Sequence, residues 1–129
     1  MKILDSDHWI ALLRGKLDLR GRVAADEELA ITAISVGELV YGAERSQRPA
    51  ESLLELDTLL ASITIIAYED ASAHRFGVLK VELERRGERL DDADLQIAAI
   101  ALSRDLPLVT HNSRHFSRVP ELTLEDWLD

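Results

Sequence analysis

Carboxylate side chains follow short apolar segments at several places in this sequence, and they are the residues best suited to do chemistry. The set comprises Asp5, Asp7, Glu38, Asp91, Asp92 and Asp94. Converging carboxylates repel one another by about 4 kcal/mol per pair at ~4 Å and an effective dielectric of ~20, a cost that a divalent cation offsets. Because the sequence has no cysteine, an all-oxygen ligand set favours Mg²⁺ or Mn²⁺ over Zn²⁺. Magnesium held by carboxylates is suited to hydrolysing phosphodiesters.

Short apolar segments alternate with longer helical patterns along the chain, which predicts a parallel sheet covered by helices. Strands are predicted at 2–4, 29–34, 63–66, 106–110 and 122–124. Helices are predicted from Ser6 or Asp7 to Gly15, over 17–25, from Ser35 to about Arg45, over 50–60 and 70–86, from Asp91 or Asp92 onward, and briefly at 113–116. The predicted fold class is α/β, with one domain over 1–129 forming a three-layer sandwich around a mostly parallel central sheet.

The ligand site of such a sheet lies beyond the carboxyl ends of its strands. Asp5 and Asp7 follow the first predicted strand, and Glu38 follows the second. The segment 111–113 follows the fourth strand, and the acids at 91–94 open the helix that precedes it. The topology therefore predicts that these side chains gather at one edge of the sheet.

Each acid also has a structural explanation that involves no ligand. Ser35 and Glu38 fit an S-x-x-E capping box, in which Glu38 closes the start of a helix. The acids at 91–94 are favoured in a first helical turn by the helix dipole, and Asp7 can act as a helix cap. Asp5, at the end of a buried strand, is the one acid with no predicted capping role. Both readings stay open for the other acids.

Composition bounds the remaining possibilities. The chain has 47% hydrophobic and 30% charged residues, which suits one globular domain. The absence of cysteine excludes a disulfide framework, a thiolate zinc site and a cysteine nucleophile. The net charge of −9 argues against broad, non-specific phosphate binding. An aspartate at position 5 interrupts any signal peptide, and no segment is long and apolar enough for a membrane span. The expected compartment is the cytoplasm.

Four ordered motifs resemble those of the PIN-domain ribonucleases, in particular the VapC-type toxins of bacterial toxin–antitoxin pairs. The motifs are Met-Lys-Ile-Leu-Asp-Ser-Asp at 1–7, Ser-Val-Gly-Glu-Leu at 35–39, Asp-Asp-Ala-Asp-Leu-Gln-Ile-Ala-Ala at 91–99, and Leu-Val-Thr-His-Asn-Ser-Arg-His-Phe at 108–116. The first motif is weak alone, whereas the last two together are fairly specific. The resemblance spans the whole chain, including the terminal tryptophan.

The resemblance implies a metal-dependent endoribonuclease in which Asp5, Glu38 and Asp94 hold Mg²⁺ or Mn²⁺. It also implies a homodimer and a small cognate antitoxin of the VapB kind. The surplus leucines of the predicted helix 50–60 fit such a partner, either a second copy or an antitoxin helix. Further candidates beside the acids, for the substrate or for hydrogen bonds to the ligands, are Ser6, Asp7, Asp91, Asp92, Arg85, Arg89, Thr110 and Asn112.

The sequence departs from the fullest family pattern after the fourth predicted strand. Many members have an aspartate there, whereas this chain has His111, Asn112 and Ser113, and His115 replaces another common acid. Asn112 is a possible additional metal ligand through its amide oxygen, without a charge. Direct metal ligation by His111 or His115 is not favoured, because the residues between them predict a turn.

Two alternatives from other classes are compatible with parts of the sequence. A PIN-like domain that only binds RNA or protein would account for the missing fourth acid. A haloacid-dehalogenase-like phosphatase would use Asp5 as a nucleophile in a D-x-D motif. Trp9 occupies the position where that motif needs threonine or valine, which disfavours the phosphatase.

Overall fold

A single five-stranded parallel sheet organises residues 1–128, the part of the chain that the computed structural model describes. The strands are β1 (Lys2–Leu4), β2 (Leu29–Thr32), β3 (Thr64–Ile66), β4 (Leu108–Val109) and β5 (Leu124–Glu125). Their order is β3-β2-β1-β4-β5, and every neighbouring pair is parallel. The predicted α/β class is confirmed. The predicted single domain ended at Asp129, which lies outside the described residues.

Six helices accompany the strands in this part of the chain. They are α1 (Ser6–Leu13), α2 (Ala33–Glu44), α3 (Pro49–Leu60), α4 (Asp70–Arg85), α5 (Asp92–Arg104) and α6 (Ser113–Phe116). Successive side chains of a strand point to opposite faces of the sheet. Ile3 accordingly packs with α4 and α5 in one apolar core, while Leu4 packs with Trp9 and Leu56 in a second core. Two cores on two faces make the three-layer sandwich.

The predicted helix over 17–25 is wrong, because this segment forms turns. The Asp18 carboxylate accepts hydrogen bonds from the backbone N–H of Arg20 at 3.0 Å and from its guanidinium at 2.7–3.1 Å. Such local bonds offer the backbone an alternative to a helix. Gly15 and Gly21 both have positive φ values, 68° and 79°, which interrupt a right-handed helix.

The predicted capping box at Ser35 is also wrong. Helix α2 begins at Ala33, and the Thr32 hydroxyl caps it by accepting a hydrogen bond from the Ser35 backbone N–H at 3.1 Å. Glu38 therefore lies in the second turn of α2 and has no part in the cap. Conversely, Asp5 is the N-cap of α1, where its carboxylate accepts from the Ser6 N–H at 2.9 Å, so its predicted lack of a capping role is corrected.

The strands at the far side of the sheet are shorter or shifted relative to prediction. Leu106 is tied to the end of α5, because its N–H donates to the Ala101 carbonyl at 2.9 Å. Pro107 has no N–H to donate to a sheet, so β4 starts only at Leu108. The last strand lies at Leu124–Glu125 rather than at 122–124.

The last described residues pack against the body of the domain. Trp127 is buried against the second core.

In α3, Leu56 is buried, whereas Leu54 is 68% exposed, so part of the leucine surplus faces outward. Within residues 1–128, no helix has both the length and the apolar character needed to cross a bilayer.

Candidate active site

The pairing of β1 with β4 places Asp5 beside Thr110. Both residues follow the last paired positions, Leu4 and Val109, and both side chains are buried. The Asp5 carboxylate accepts hydrogen bonds from the Thr110 hydroxyl at 2.9 Å and from the Ser6 N–H at 2.9 Å. These donors fix the orientation of the carboxylate at the carboxyl end of the central strand.

Asp7 lies two residues beyond Asp5, in the first turn of α1, and its carboxylate accepts hydrogen bonds from three donors. Its carboxylate accepts from the His8 Nδ1 at 2.6 Å, the His111 backbone N–H at 3.0 Å and, more weakly, the Thr110 hydroxyl at 3.4 Å. The His8 Nε2 accepts from the Trp127 backbone N–H at 3.1 Å, so the Nδ1 carries the ring proton of neutral His8. This fully buried histidine links the C-terminal segment to the acids.

His8 could not be recognised as a positioning residue from the sequence. Its neighbour Asp7 is visible in the sequence, but its second partner, Trp127, is 119 positions away. No local pattern signals such a contact.

Replacing His8 with alanine is expected to lower the free energy of unfolding by about 3 kcal/mol. The change empties a buried volume and leaves the Trp127 N–H and one Asp7 oxygen without their partner. Urea denaturation measures the effect. His74→Ala is the matched control, because the His74 side chain is 77% exposed and its loss should change stability by less than about 0.5 kcal/mol. Equal effects of the two substitutions would contradict the positioning role.

Helices α2 and α5 bring Glu38 and Asp94 to the same edge as Asp5. Partial removal from water raises the pKa of Glu38, and the charges of Asp5, Asp94 and Asp7 raise it further. Partial removal from water also raises the pKa of Asp94 to about 6, with Asp5 and Asp91 as the next causes. The mutual repulsion shows that these carboxylates lie within electrostatic reach of one another.

Burial is the largest cause of the raised pKa of Asp5 as well, followed by the charge of Asp7, while the hydrogen bond from Thr110 lowers it. The raised pKa values of Asp5, Glu38 and Asp94 have the same physical interpretation. In the protein without a cation, each carboxylate is destabilised in its charged form. A cation among them would remove that penalty.

This repulsion predicts a pH dependence of stability for the metal-free protein. A carboxyl whose folded-state pKa is raised stabilises the fold at low pH, and that contribution is lost as the pH rises through the folded pKa. For Asp94 the loss begins near its ordinary pKa of 3.8, is nearly complete a little above the folded-state pKa of about 6, and amounts to about 1 kcal/mol after allowance for its partial exposure. Asp94→Asn should therefore be more stable than wild type at about pH 8 but not at about pH 4. Urea denaturation in chelator measures this difference, and a stabilisation of equal size at both pH values would contradict it.

The donor set suits a hard divalent cation, although the ligands are not preassembled. The side chains at this edge that can ligate a cation offer oxygen atoms, apart from the histidine rings. Among residues 1–128, no three His, Asp or Glu side chains are already arranged to hold an ion. The repelling carboxylates would have to draw together on binding. The observation in favour of a cation is their shared destabilisation, which His8 beside Asp5 and His115 beside Asp94 offset only in part.

The neighbouring candidates divide into those at the site and those away from it. Asp91, Arg89 and Asn112 line a cleft with Asp94. Asp92 instead receives a hydrogen bond from the Lys80 ammonium at 2.9 Å and does not line that cleft. Arg85 borders a different surface beside Val78. The structure thus does not bring Arg85 or Asp92 into the acid cluster.

The segment after β4 places its polar side chains at the rim. The Asn112 N–H donates to the Thr110 hydroxyl at 3.1 Å, and the Asn112 side-chain oxygen bonds the His115 Nδ1. His111 bonds Asp126 at 2.9 Å. Ser6 exposes a hydroxyl beside Asp5 that makes no hydrogen bond within residues 1–128.

Comparison with known proteins agrees with this fold. Residues 2–122 match the PIN domain family. Ribonuclease VapC2 of Haemophilus influenzae is 38% identical over 101 residues, which are 78% of this chain and 76% of that protein. The tRNA(fMet)-specific endonuclease VapC of Shigella flexneri is 35% identical over 127 residues, which are 97% of this chain and 96% of that protein.

Solved structures give the same result. DNA-bound VapBC from Salmonella typhimurium superposes with a TM-score of 0.90 at 32% identity, covering 98% of this chain and 99% of that one. VapBC2 from Rickettsia felis, bound to a DNA fragment from its promoter, superposes with a TM-score of 0.89 at 29% identity, covering 98% of both chains.

The fold and the matched family define a PIN domain. The chain belongs to the PIN-domain family and, within it, to the VapC-type ribonucleases. The haloacid-dehalogenase alternative is therefore set aside.

Proposed function

We propose that this protein is an endoribonuclease toxin whose cleavage of RNA requires Mg²⁺ or Mn²⁺ held by Asp5, Glu38 and Asp94. The observation that carries the proposal is the shared destabilisation of these three carboxylates, whose pKa values are all raised and which are coupled to one another. Such a cluster costs folding free energy unless a cation offsets it. The names of the VapC relatives, ribonuclease and endonuclease, support RNA as the substrate.

The roles of the individual residues follow from their positions. A bound cation would lower the pKa of a water molecule and offset the charge that develops on the phosphate. Asp5 is the most rigid ligand, because Thr110 and the Ser6 N–H fix its carboxylate. Glu38 and Asp94 approach from separate helices and can close on the ion. Asp7, held by His8, adds negative charge that strengthens cation binding.

Asn112 and His115 distinguish this chain from the fullest family pattern. Their side chains bond each other, so the Asn112 oxygen already has a donor. We assign the cation to the three carboxylates and give Asn112 the role of shaping the rim beside Asp94. Arg89, in the same cleft, is assigned to a substrate phosphate.

The partner is proposed from the solved relatives. The Salmonella and Rickettsia structures are VapBC complexes bound to DNA. A VapB-like antitoxin is accordingly proposed to neutralise this protein, and the outward-facing Leu54 of α3 is available to a partner helix or to a second copy in a homodimer.

Chelation tests the metal requirement. Cleavage of single-stranded RNA should disappear in excess EDTA and return when Mg²⁺ or Mn²⁺ is added beyond the chelator, because no side chain of the cluster is placed as a covalent nucleophile. Asp94→Asn protein, purified in the same way, controls for contaminating nuclease. Undiminished cleavage in chelator would contradict the metal requirement. A wild-type protein that binds RNA but never cleaves it would instead favour the binding-only alternative.

A further inference from the structure

Two chains of hydrogen bonds run from the last described residues to the Asp7 carboxylate. In the first, the Trp127 backbone N–H donates to the His8 Nε2 at 3.1 Å, and the His8 Nδ1 donates to the Asp7 Oδ1 at 2.6 Å. In the second, the Asp126 carboxylate bonds the His111 Nδ1 at 2.9 Å, and the His111 backbone N–H donates to the Asp7 Oδ2 at 3.0 Å. Each oxygen of Asp7 is therefore held by a residue that is itself held from the C-terminal side of the chain.

The C-terminal segment, Asp126–Leu128, is fixed well enough to serve as an anchor. The Trp127 side chain is buried in the second core, and its indole N–H donates to the Glu125 carboxylate of β5 at 3.1 Å. Within the segment, the Leu128 N–H donates to the Asp126 carboxylate at 2.9 Å. The groups that hold the two histidines thus have defined positions.

Asp7 lies directly beside Asp5. The Thr110 hydroxyl joins the two carboxylates, because it donates to the Asp5 Oδ2 at 2.9 Å and more weakly to the Asp7 Oδ2 at 3.4 Å. In agreement with this geometry, the charge of Asp7 raises the pKa of Asp5, and it also raises the pKa values of Glu38 and Asp94. A cation among those three carboxylates would be attracted by Asp7 as well.

The attraction depends on where the Asp7 side chain points. This side chain is 33% exposed, so without its donors it is free to turn toward water, where its charge is screened. The fully buried His8 ring and the His111 N–H keep it turned toward Asp5. Groups that orient the surroundings of metal ligands change metal affinity, although they do not touch the metal.

We propose that the C-terminal segment is a working part of the active site, which holds the Asp7 carboxylate beside Asp5 and thereby raises the affinity of the site for its divalent cation. Asp126 and His8 are the positioning residues, and both act through Asp7. The inference rests on the proposed function, because it concerns the cation of that site. A segment that served the fold alone would stabilise the domain without changing cation affinity.

Calorimetric titration with Mn²⁺ tests the proposal in the absence of RNA. Asp7→Asn should weaken Mn²⁺ binding about tenfold, and His8→Gln and Asp126→Ala should each weaken it about fourfold. Glutamine at position 8 can still accept from the Trp127 N–H but has no donor where the Nδ1 lies, so it releases Asp7. Alanine at position 126 removes the partner of the His111 ring.

The same substitutions in the Asp7→Asn background separate positioning from a general effect. If His8 and Asp126 act through Asp7, His8→Gln and Asp126→Ala should each change Mn²⁺ affinity by less than about 1.5-fold in that background. Glu125→Gln is the matched control, because it removes a neighbouring negative charge whose carboxylate bonds Lys2 and the Trp127 indole instead. Its effect should also be less than about 1.5-fold.

Circular dichroism establishes that each variant is folded at the temperature of the titration. Asp126→Ala removes no core side chain and keeps the test decisive if His8→Gln does not fold. Wild-type affinity in Asp7→Asn, or equal effects of Asp126→Ala in both backgrounds, would overturn this inference and leave the proposed function intact. Absence of a saturable Mn²⁺ site in wild type would instead overturn the proposed metal centre, and this inference with it.

Discussion

Glu38→Gln protein should lose RNA cleavage by about a hundredfold or more while folding as stably as wild type. A neutral amide is a poor ligand for Mg²⁺, and loss of one ligand removes several kcal/mol of charge stabilisation in the transition state. Stability is not expected to fall, because Thr32 rather than Glu38 caps α2 and the Glu38 side chain makes no hydrogen bond or ion pair within residues 1–128. Removal of one repelling charge should even raise the thermal midpoint of the metal-free protein slightly.

Cleavage rates in Mg²⁺ and thermal midpoints in chelator measure the two effects. Asp70→Asn is the control for loss of an acidic side chain, because Asp70 lies in the first turn of α4 with its side chain 96% exposed. Its cleavage rate should equal that of wild type. Retained cleavage by Glu38→Gln would remove Glu38 from the proposed ligand set.

Asp5→Asn is expected to abolish cleavage to the same extent or further. In the proposed metal centre Asp5 is the central ligand, since its charge raises the pKa of both Glu38 and Asp94. The substitution is nearly isosteric, and the amide oxygen can still accept from the Ser6 N–H while Thr110 turns its hydroxyl. The free energy of unfolding should therefore change by less than about 1 kcal/mol.

Circular dichroism and urea denaturation establish that the Asp5→Asn protein is folded before its cleavage is assayed. A folded variant that cleaves RNA at the wild-type rate would show that Asp5 only caps α1. A variant that fails to fold would not remove the prediction, because Asp5→Glu keeps the charge but displaces it by one methylene. That second variant should fold and still lose most of its cleavage.

The sheet could be predicted because its signals are local. Lys2–Leu4 is a short apolar strand ended by an acid, and parallel strands place their carboxyl ends together. The turns at 17–25 could not be predicted in this way. Arg20 donates hydrogen bonds to the Asp18 carboxylate, and these bonds compete with helix formation, but residue types alone do not reveal them. The start of α2 was misassigned because Thr32 caps it from inside the preceding strand.

Part of the site could also be predicted, because its signals are local in the sequence. Asp5 and Glu38 follow predicted strands and Asp94 opens a predicted helix at the same edge, and the structure places them within electrostatic reach of one another. His8 was missed, because its role depends on contacts with Asp7 and Trp127 that arise only after folding. Asp92 fits a place beside the ligands by sequence position, but the side chain of Lys80 on α4 binds it.

Calorimetric titration with Mn²⁺ tests the central claim most directly, because it measures the cation at the carboxylates without RNA. Wild-type protein should bind Mn²⁺ at a saturable site, Asp70→Asn should bind it equally well, and Asp5→Asn, Glu38→Gln and Asp94→Asn should each bind it at least about tenfold more weakly. Absence of a saturable site in wild type, or an affinity equal to that of wild type in all three variants, would contradict the assignment of Asp5, Glu38 and Asp94 to a metal centre.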